Sequence, residues 1–162
     1  MRKLILAAAT AAALVLPLAN VAKAQEESVN IEAGEMEIID ADGRAVFRGD
    51  VVAKRSSETI RADEMVVTYV DVKQADGSSK TEVDTMVCTG TISIVTPSQT
   101  ITGNKAVFHV RKDELVVTGN VKVVQGKTVL RGPQLVANLK TKRTVMKGGT
   151  SAKGRVSGTF VP

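Results

Sequence analysis

VVTGNVKVVQGKTVLRG, residues 116–132, is one of three related stretches in this chain. The other two are VCTGTISIVTPSQTITG, residues 87–103, and VFRGDVVAKRSSETIRA, residues 46–62. A pattern of this length that recurs along one chain indicates a repeated structural unit.

The three copies align without a gap when they are counted from a glycine that each contains, Gly49, Gly90 or Gly119. After that glycine, apolar residues recur at every second position in all three copies, and many of them are β-branched. This alternation is typical of strands with one buried face, and no stretch after residue 24 has a sustained helical period. We therefore predict an all-β domain built from about three in-register repeats.

The repeat continues outward as partial copies. NIEAGEMEII, residues 30–39, matches the second half of a unit, and VMKG, residues 145–148, restarts one. Half-units of this kind are expected at the ends of a stacked array. Thirteen residues after each anchor glycine stands a small residue, Ala62, Gly103 or Gly132, and we predict a corner of the backbone there.

An insertion separates the first copy from the second. The anchor glycines are spaced by 41 and then by 29 residues, so about 12 residues are added after the first copy. The inserted region, DVKQADGSSKTEVD at residues 71–84, is polar and contains the turn-forming pair D-G followed by S-S. It is predicted to be either a surface hairpin or a mobile loop.

The N-terminus has the pattern of a secretory signal peptide. Arg2 and Lys3 precede an apolar run at residues 4–16, and Ala22 and Ala24 form an A-x-A cleavage site. The run is shorter than the about 20 apolar residues of a bilayer span. We expect a cleavable signal peptide over residues 1–24, with an uncleaved membrane anchor as the alternative. The remaining residues, 25–162, are expected to form a single domain.

The exported region has a nearly even charge balance. Cleavage removes Arg2, Lys3 and Lys23 from the 22 basic residues of the chain and none of its 17 acidic ones, so 19 basic residues remain. Domains that bind nucleic acid combine a concentrated basic face with stacking aromatics. This chain has three phenylalanines, one tyrosine and no tryptophan. Nucleic acid is therefore not expected as a partner.

Few residues suit catalysis or metal binding. Cys88 is the only cysteine and stands at an apolar position of the repeat, so we expect a buried small hydrophobe. His109 is the only histidine, which excludes a site with several histidines. The carboxylates of Asp63 and Glu64 are adjacent, but neighbours on a strand point to opposite faces. No enzyme activity, metal or cofactor is predicted, with a carbohydrate-active site at these two carboxylates as an alternative.

The apolar stripe allows two interpretations. Alternating Val, Ile and Leu residues ordinarily form a closed core, whereas the same faces, if splayed apart, would form an open groove for an apolar cargo. The stripe is poor in aromatics and rich in slender or flexible side chains, which suits packing against acyl chains. Cations near the strand ends are candidates for binding headgroup phosphates, namely Lys54, Arg55, Arg61, Lys127 and Arg131.

Three segments resemble the OstA-like family. They are V-x-T-G-N-V-x-V-x-Q-G at residues 116–126, TIRADEMVVTY at residues 59–69 and LRGPQLVANL at residues 130–139. The resemblance extends over about residues 28–147 and is greatest to the small periplasmic member that transports lipopolysaccharide. It implies a twisted β-jellyroll that is open at both ends, with an apolar interior that shields the acyl chains of lipid A.

The resemblance also implies partners. Copies of the domain would join head to tail, with the anchored inner-membrane subunit LptC on one side and the outer-membrane translocon LptD on the other. The protein would carry lipopolysaccharide across the periplasm without catalysis, and an ATP-driven partner would supply the energy. The alternatives are the anchored relative LptC itself and a β-solenoid assembly module that binds no lipid.

Position in the repeat assigns residues to these roles. The residues predicted to line the groove are Phe47, Val51, Ile60, Met65, Val67, Ile92, Ile94, Ile101, Phe108, Val121, Val123, Leu130 and Leu135. Those predicted to serve edge-strand assembly, at residues 31–39 and 156–160, are Ile31, Ala33, Met36, Ile38, Val156 and Phe160. The rows of unpaired backbone groups at such edges invite another strand to add.

Overall fold

The protein is described by a computed structural model over residues 28–149 and 154–162. The expected signal peptide, residues 1–24, lies outside these ranges. The described residues form ten strands, with short 3₁₀ turns at Asp40–Asp42 and Val110–Lys112. The strands are β1 Asn30–Glu32, β2 Glu35–Ile39, β3 Arg44–Arg55, β4 Glu58–Lys73, β5 Ser79–Val95, β6 Thr100–His109, β7 Glu114–Gln125, β8 Thr128–Asn138, β9 Arg143–Lys147 and β10 Ser157–Thr159.

All ten strands belong to one antiparallel sheet with the order β1-β3-β4-β5-β6-β7-β8-β10. At one edge β1 and β2 both pair with β3, and at the other β9 and β10 both pair with β8. Each edge is therefore made of two short strands that together follow one long neighbour. The sheet stays open at both edges, which confirms the predicted all-β, open-ended jellyroll. In the described residues no helix is long and apolar enough to cross a membrane.

The long strands bend at the glycines from which the repeats align. Gly49, Gly90 and Gly119 have φ angles of +81°, +97° and +82°, a region that glycine enters without steric cost. At the first bend Gly49 and Asp50 together face the single residue Asp63, which is the geometry of a β-bulge. The bends divide the sheet into two layers, made of the strand halves before and after each bulge, and the layers enclose the core.

The small residues predicted to mark corners do lie at these bends. Ala62, Gly103 and Gly132 are on the strand that follows each bulge. A Cβ at Gly103 would be 2.6 Å from Val117 Cγ1, and one at Gly132 would be 2.7 Å from Met146 Cγ. The position is small because a neighbouring side chain fills the corner. The positive φ angles occur instead at the anchor glycines.

The insertion forms a hairpin rather than a mobile loop. β4 and β5 continue through it as a paired ribbon up to Lys73 and Ser79. The ribbon closes in a turn where Asp76 Oδ1 accepts hydrogen bonds from the backbone N–H and the hydroxyl of Ser78, at 2.9 and 2.6 Å. The sheet partners of β4 and β5 end at Arg44 and His109, so the ribbon projects beyond them.

Candidate functional site

The inward faces of the two layers form one apolar interior. Val51, Met65, Cys88, Ile92 and Leu135 are completely buried in it. No polar or charged side chain is buried among the described residues. Burial raises the pKa of the Cys88 thiol to about 12, because the low-polarity surroundings disfavour the thiolate. Cys88 is thus the buried hydrophobe that was predicted.

All 13 residues predicted to line a groove belong to this interior or pack against it. Ten of them are at most 8% exposed, while Ile60, Phe108 and Leu130 are partly buried. Further residues of the interior were not assigned to the groove, although they continue the same alternation before and after the anchor glycines. These residues are Ala45, Ala53, Ala62, Met86, Ala106, Leu115, Val117 and Ala137, together with Cys88, whose burial was predicted.

The layers separate at their free ends and leave an open slot. A cavity of about 910 Å³ lies there, walled by Ile60, Ile94 and Ile101 from one layer and by Phe108 and Leu115 from the other. A second cavity of about 420 Å³, lined in part by Leu130, Leu135 and Met146, shares four residues of its rim. Ile60, Phe108 and Leu130, the partly buried residues of the predicted set, all lie in this slot. The interior is therefore closed near the corner and open at the free ends.

The rim of the slot is polar. It is formed by the turn between β3 and β4, the turn between β5 and β6, and the connection between β8 and β9. Lys140 and Lys142 stand on that last connection and are both exposed. The rim also carries two carboxylates, Glu58 and Asp113, and the neutral polar residues Ser56, Ser57, Ser98, Gln99 and Asn138.

Most of the cations proposed from the sequence lie elsewhere. Lys54, Arg61 and Arg131 alternate with inward residues of their strands, so they project from the outer face of the sheet. Lys127 is in the turn between β7 and β8, and it does not line the slot. Of the five, only Arg55 lines the slot. Sequence reasoning missed the rim lysines because their position depends on where the layers end.

The predicted edge residues occupy the two sheet edges. Met36 and Ile38 are 59% and 63% exposed on β2, and Phe160 is 70% exposed just after β10. Ala33 and Val156 are also exposed. Ile31 pairs with Ala53 through the β1–β3 ladder, and its side chain packs against the core. The second edge also includes β9, which the sequence interpretation did not assign to it.

The adjacent carboxylates have structural contacts. Asp63 Oδ2 accepts a hydrogen bond from the Thr91 backbone N–H at 3.2 Å. Glu64 Oε2 forms an ion pair with Arg48 Nε at 3.3 Å. Within residues 28–149 and 154–162, no three His, Cys, Asp or Glu residues are grouped so that they could hold a metal ion. Each carboxylate therefore has a structural role, because it binds a residue of a neighbouring strand.

An open antiparallel sheet, folded at a glycine corner over an apolar slot, defines a β-jellyroll protein of the open-ended class. Residues 30–143 match a family model described as LptA/(LptD N-terminal domain) LPS transport protein. The chain therefore belongs to this family of lipopolysaccharide transport proteins, which confirms the resemblance seen in the sequence. The family is one of transport proteins and not of enzymes.

Comparison with solved structures supports the same fold. The chain is similar to LptH from Pseudomonas aeruginosa, described as the LptA homologous periplasmic component of the lipopolysaccharide transport device. The TM-score is 0.69, with 18% sequence identity over 85% of this chain and 97% of LptH. No curated protein sequence matches the chain.

Proposed function

We propose that this protein is a periplasmic bridge that shields the acyl chains of lipid A in the slot and carries lipopolysaccharide from the inner to the outer membrane. The observation that carries the proposal is the apolar slot of about 910 Å³ between the two layers, extended by a second cavity of about 420 Å³. Acyl chains left in water cost about 0.8 kcal/mol per methylene. A trough with apolar walls removes that cost.

The polar rim suits the sugars and phosphates of the same lipid. Sugars and phosphates stay hydrated when they lie at the boundary between slot and solvent. Lys140 and Lys142 place two ammonium groups at this boundary, where they would pair with lipid A phosphates. The division between apolar walls and a polar rim that carries two exposed lysines supports an amphipathic anionic lipid as the cargo.

The location and processing belong to the same proposal. Residues 1–24 act as a cleavable signal peptide, and residues 25–162 form a single periplasmic domain. The LptH match is to a periplasmic component, which supports this location. The domain works without catalysis or a cofactor, and movement of the lipid is driven by an ATP-dependent partner.

Open edges support end-to-end assembly. Unpaired backbone donors and acceptors at β1–β2 and β9–β10 accept further strands. Copies of the protein join head to tail there, with LptC at one end of the array and LptD at the other. Joined slots then form one continuous apolar path.

Photocrosslinking in cells tests the lipid path. A photoreactive residue at position 94 or 130 faces the slot, whereas one at position 129 is on the outer face of β8 and serves as the control. We expect lipopolysaccharide adducts from positions 94 and 130 that depend on ATP-driven transport, and none from position 129. Absence of adducts from both slot positions in a folded, exported protein would overturn the proposal.

A second candidate function is an assembly module that binds no lipid. It is favoured by the exposed apolar side chains of Met36 and Ile38 at a free sheet edge. Extraction of purified protein separates the two functions: the bridge copurifies with lipopolysaccharide, and the assembly module self-associates without it.

A further inference from the structure

The two edges of the sheet carry opposite charge. Residues 28–43, which include β1 and β2, contain five carboxylates and no Lys or Arg. Residues 115–162, which include β8 to β10, contain nine Lys and Arg and no Asp or Glu. We call β1 and β2 with the following 3₁₀ turn the acidic edge, and β9 with β10 the basic edge.

The acidic edge begins a row of alternating charges. Glu35 lies opposite Arg48 on β3, and Arg48 lies opposite Glu64 on β4. Arg48 Nη1 is 2.9 Å from Glu37 Oε2 and 3.5 Å from Glu35 Oε1. Glu35 and Glu37 are nevertheless exposed, because β2 has no described neighbour on its other side.

The basic edge presents cations that are not neutralised by the rest of the described chain. Arg143 and Lys147 lie on β9, are exposed, and form no ion pair with any described residue. The sequence has no Asp or Glu after Glu114, so the neighbouring strand β8 offers no acidic side chain to neutralise them.

Glu35 and Lys147 occupy corresponding places at opposite edges. Both are the paired residue nearest the corner on their strand, since Glu35 begins β2 after Gly34 and Lys147 ends β9 before Gly148. Following the ladder across the sheet connects them in a single row. The row reads Glu35, Arg48, Glu64, Thr89, Lys105, Thr118, Gln134 and Lys147.

We propose that β9 of one copy pairs antiparallel with β2 of the next copy, with Lys147 opposite Glu35, and that edge charge sets the direction of assembly. The inference rests on the proposed head-to-tail arrangement and adds its register and its selectivity. The corner fixes the register, because a one-residue slip would turn every side chain to the wrong face. The row would then continue as Lys147, Glu35, Arg48 and Glu64, with alternating charge.

The same register completes the interior. Met36 faces inward on β2, opposite Phe47, and Met146 faces inward on β9, opposite Leu135. This pairing would place Met146 beside Met36 of the next copy. It would cover the Met36 side chain, which is 59% exposed. The apolar floor of the slot would therefore continue from one copy to the next.

Charge also disfavours pairing between two acidic edges or between two basic edges. Two acidic edges brought together would place the Glu35 and Glu37 side chains of both copies side by side. Two basic edges would do the same with Arg143 and Lys147. Like charges across strands are destabilising, so only the head-to-tail joint is favoured.

Charge reversal tests the inference. We expect Arg143→Glu with Lys147→Glu to weaken self-association about tenfold at low salt, measured by sedimentation velocity over a concentration series. The matched control, Lys105→Glu with Lys112→Glu, makes the same change of net charge at exposed positions away from both edges and should associate like wild type. Adding Glu35→Lys and Glu37→Lys to the Arg143→Glu/Lys147→Glu protein should restore association.

Three results would overturn the inference: wild type that stays monomeric at low salt, equal weakening in the control, or no restoration in the fourfold variant. Circular dichroism confirms that each variant is folded. Copurification of lipopolysaccharide with the purified protein separates this test from that of the proposed function. The edge variant should still bind lipopolysaccharide as a monomer, whereas failure of the lipid proposal would leave wild type that self-associates without lipopolysaccharide.

Discussion

Asp63 and Thr91 are joined across the corner of the sheet, where the Thr91 backbone N–H donates to Asp63 Oδ2 at 3.2 Å. Gly90 precedes Thr91 with φ of +97°, and a Cβ on it would overlap the Asp63 carboxylate. The Asn104 side chain lies against Gly119 in the same way. Each of these corners therefore combines a left-handed glycine with a polar side chain from the neighbouring strand.

Replacing the corner glycine should destabilise the domain for two reasons. Gly90→Ala meets both a left-handed backbone and the Asp63 side chain, and should lower the free energy of unfolding by about 3 kcal/mol. Gly77→Ala is the matched control, because Gly77 has φ of +85° and a Cβ added to it would have no other atom within 4 Å. We expect about 1 kcal/mol there. Equal losses in urea unfolding would show that Asp63 does not crowd the corner.

A charge in the slot should abolish lipid capture. Leu130→Asp puts a carboxylate in the wall, where it would face acyl chains, and we expect lipopolysaccharide copurification to fall at least about tenfold. Val129→Asp is the matched control, since Val129 is the preceding residue of β8 and points to the outer face. Equal loss in both folded variants would contradict the assignment of the slot.

The rim lysines should bind the anionic part of the lipid. Lys140→Ala with Lys142→Ala removes two cations from the rim and should weaken capture of lipopolysaccharide about tenfold at low salt, with a smaller effect at high salt. Lys54→Ala with Arg61→Ala removes two cations from the outer face and should have little effect. The reverse ranking in a binding titration would favour the phosphate site first predicted from the sequence.

The buried thiol should make stability fall at alkaline pH. Burial raises the pKa of Cys88 from an ordinary 9.0 to about 12, so between these values the folded state holds a proton that the unfolded chain has lost. The free energy of unfolding should therefore decrease by up to about 1.4 kcal/mol per pH unit above pH 9.

A valine variant isolates this contribution. Valine stands at the equivalent position of the third copy, Val117, so Cys88→Val preserves an apolar side chain of similar size. Between pH 8 and about pH 10.5, wild type should lose about 2 kcal/mol more than the variant in urea unfolding. Parallel losses in the two proteins would show that Cys88 does not titrate with folding.

Alternation was enough to identify the strands and their inward residues. Apolar side chains two positions apart must share a face of a strand, and this local rule correctly placed residues such as Val51, Ile92 and Val121 inside. The three copies align in register, which further indicated that each copy forms the same structural unit and that these units stack on one another. These patterns predicted the all-β class, whereas the open-ended jellyroll was implied by the resemblance to the OstA-like family.

The insertion and the slot could not be resolved in the same way. A polar stretch with a D-G pair is compatible with a loop or a hairpin, and only the pairing from Tyr69 to Lys73 with Ser79 to Val83 distinguishes them. Closed and splayed layers have the same alternation, because both bury one face of each strand. Ile60, Phe108 and Leu130 line a slot because the two layers separate at their free ends, and only the tertiary structure shows where those ends lie.

The amino-acid sequence by itself determined the repeat, the strands and the inward faces, because each depends on side chains that are close together along one strand. Only the tertiary structure decided which residues from distant segments become neighbours. These neighbours form the open slot, the rim with Lys140 and Lys142, and the row that links Glu35 to Lys147. These features arise from strand order and from the glycine bulges, which set how far each layer extends and which residues share a row across the sheet.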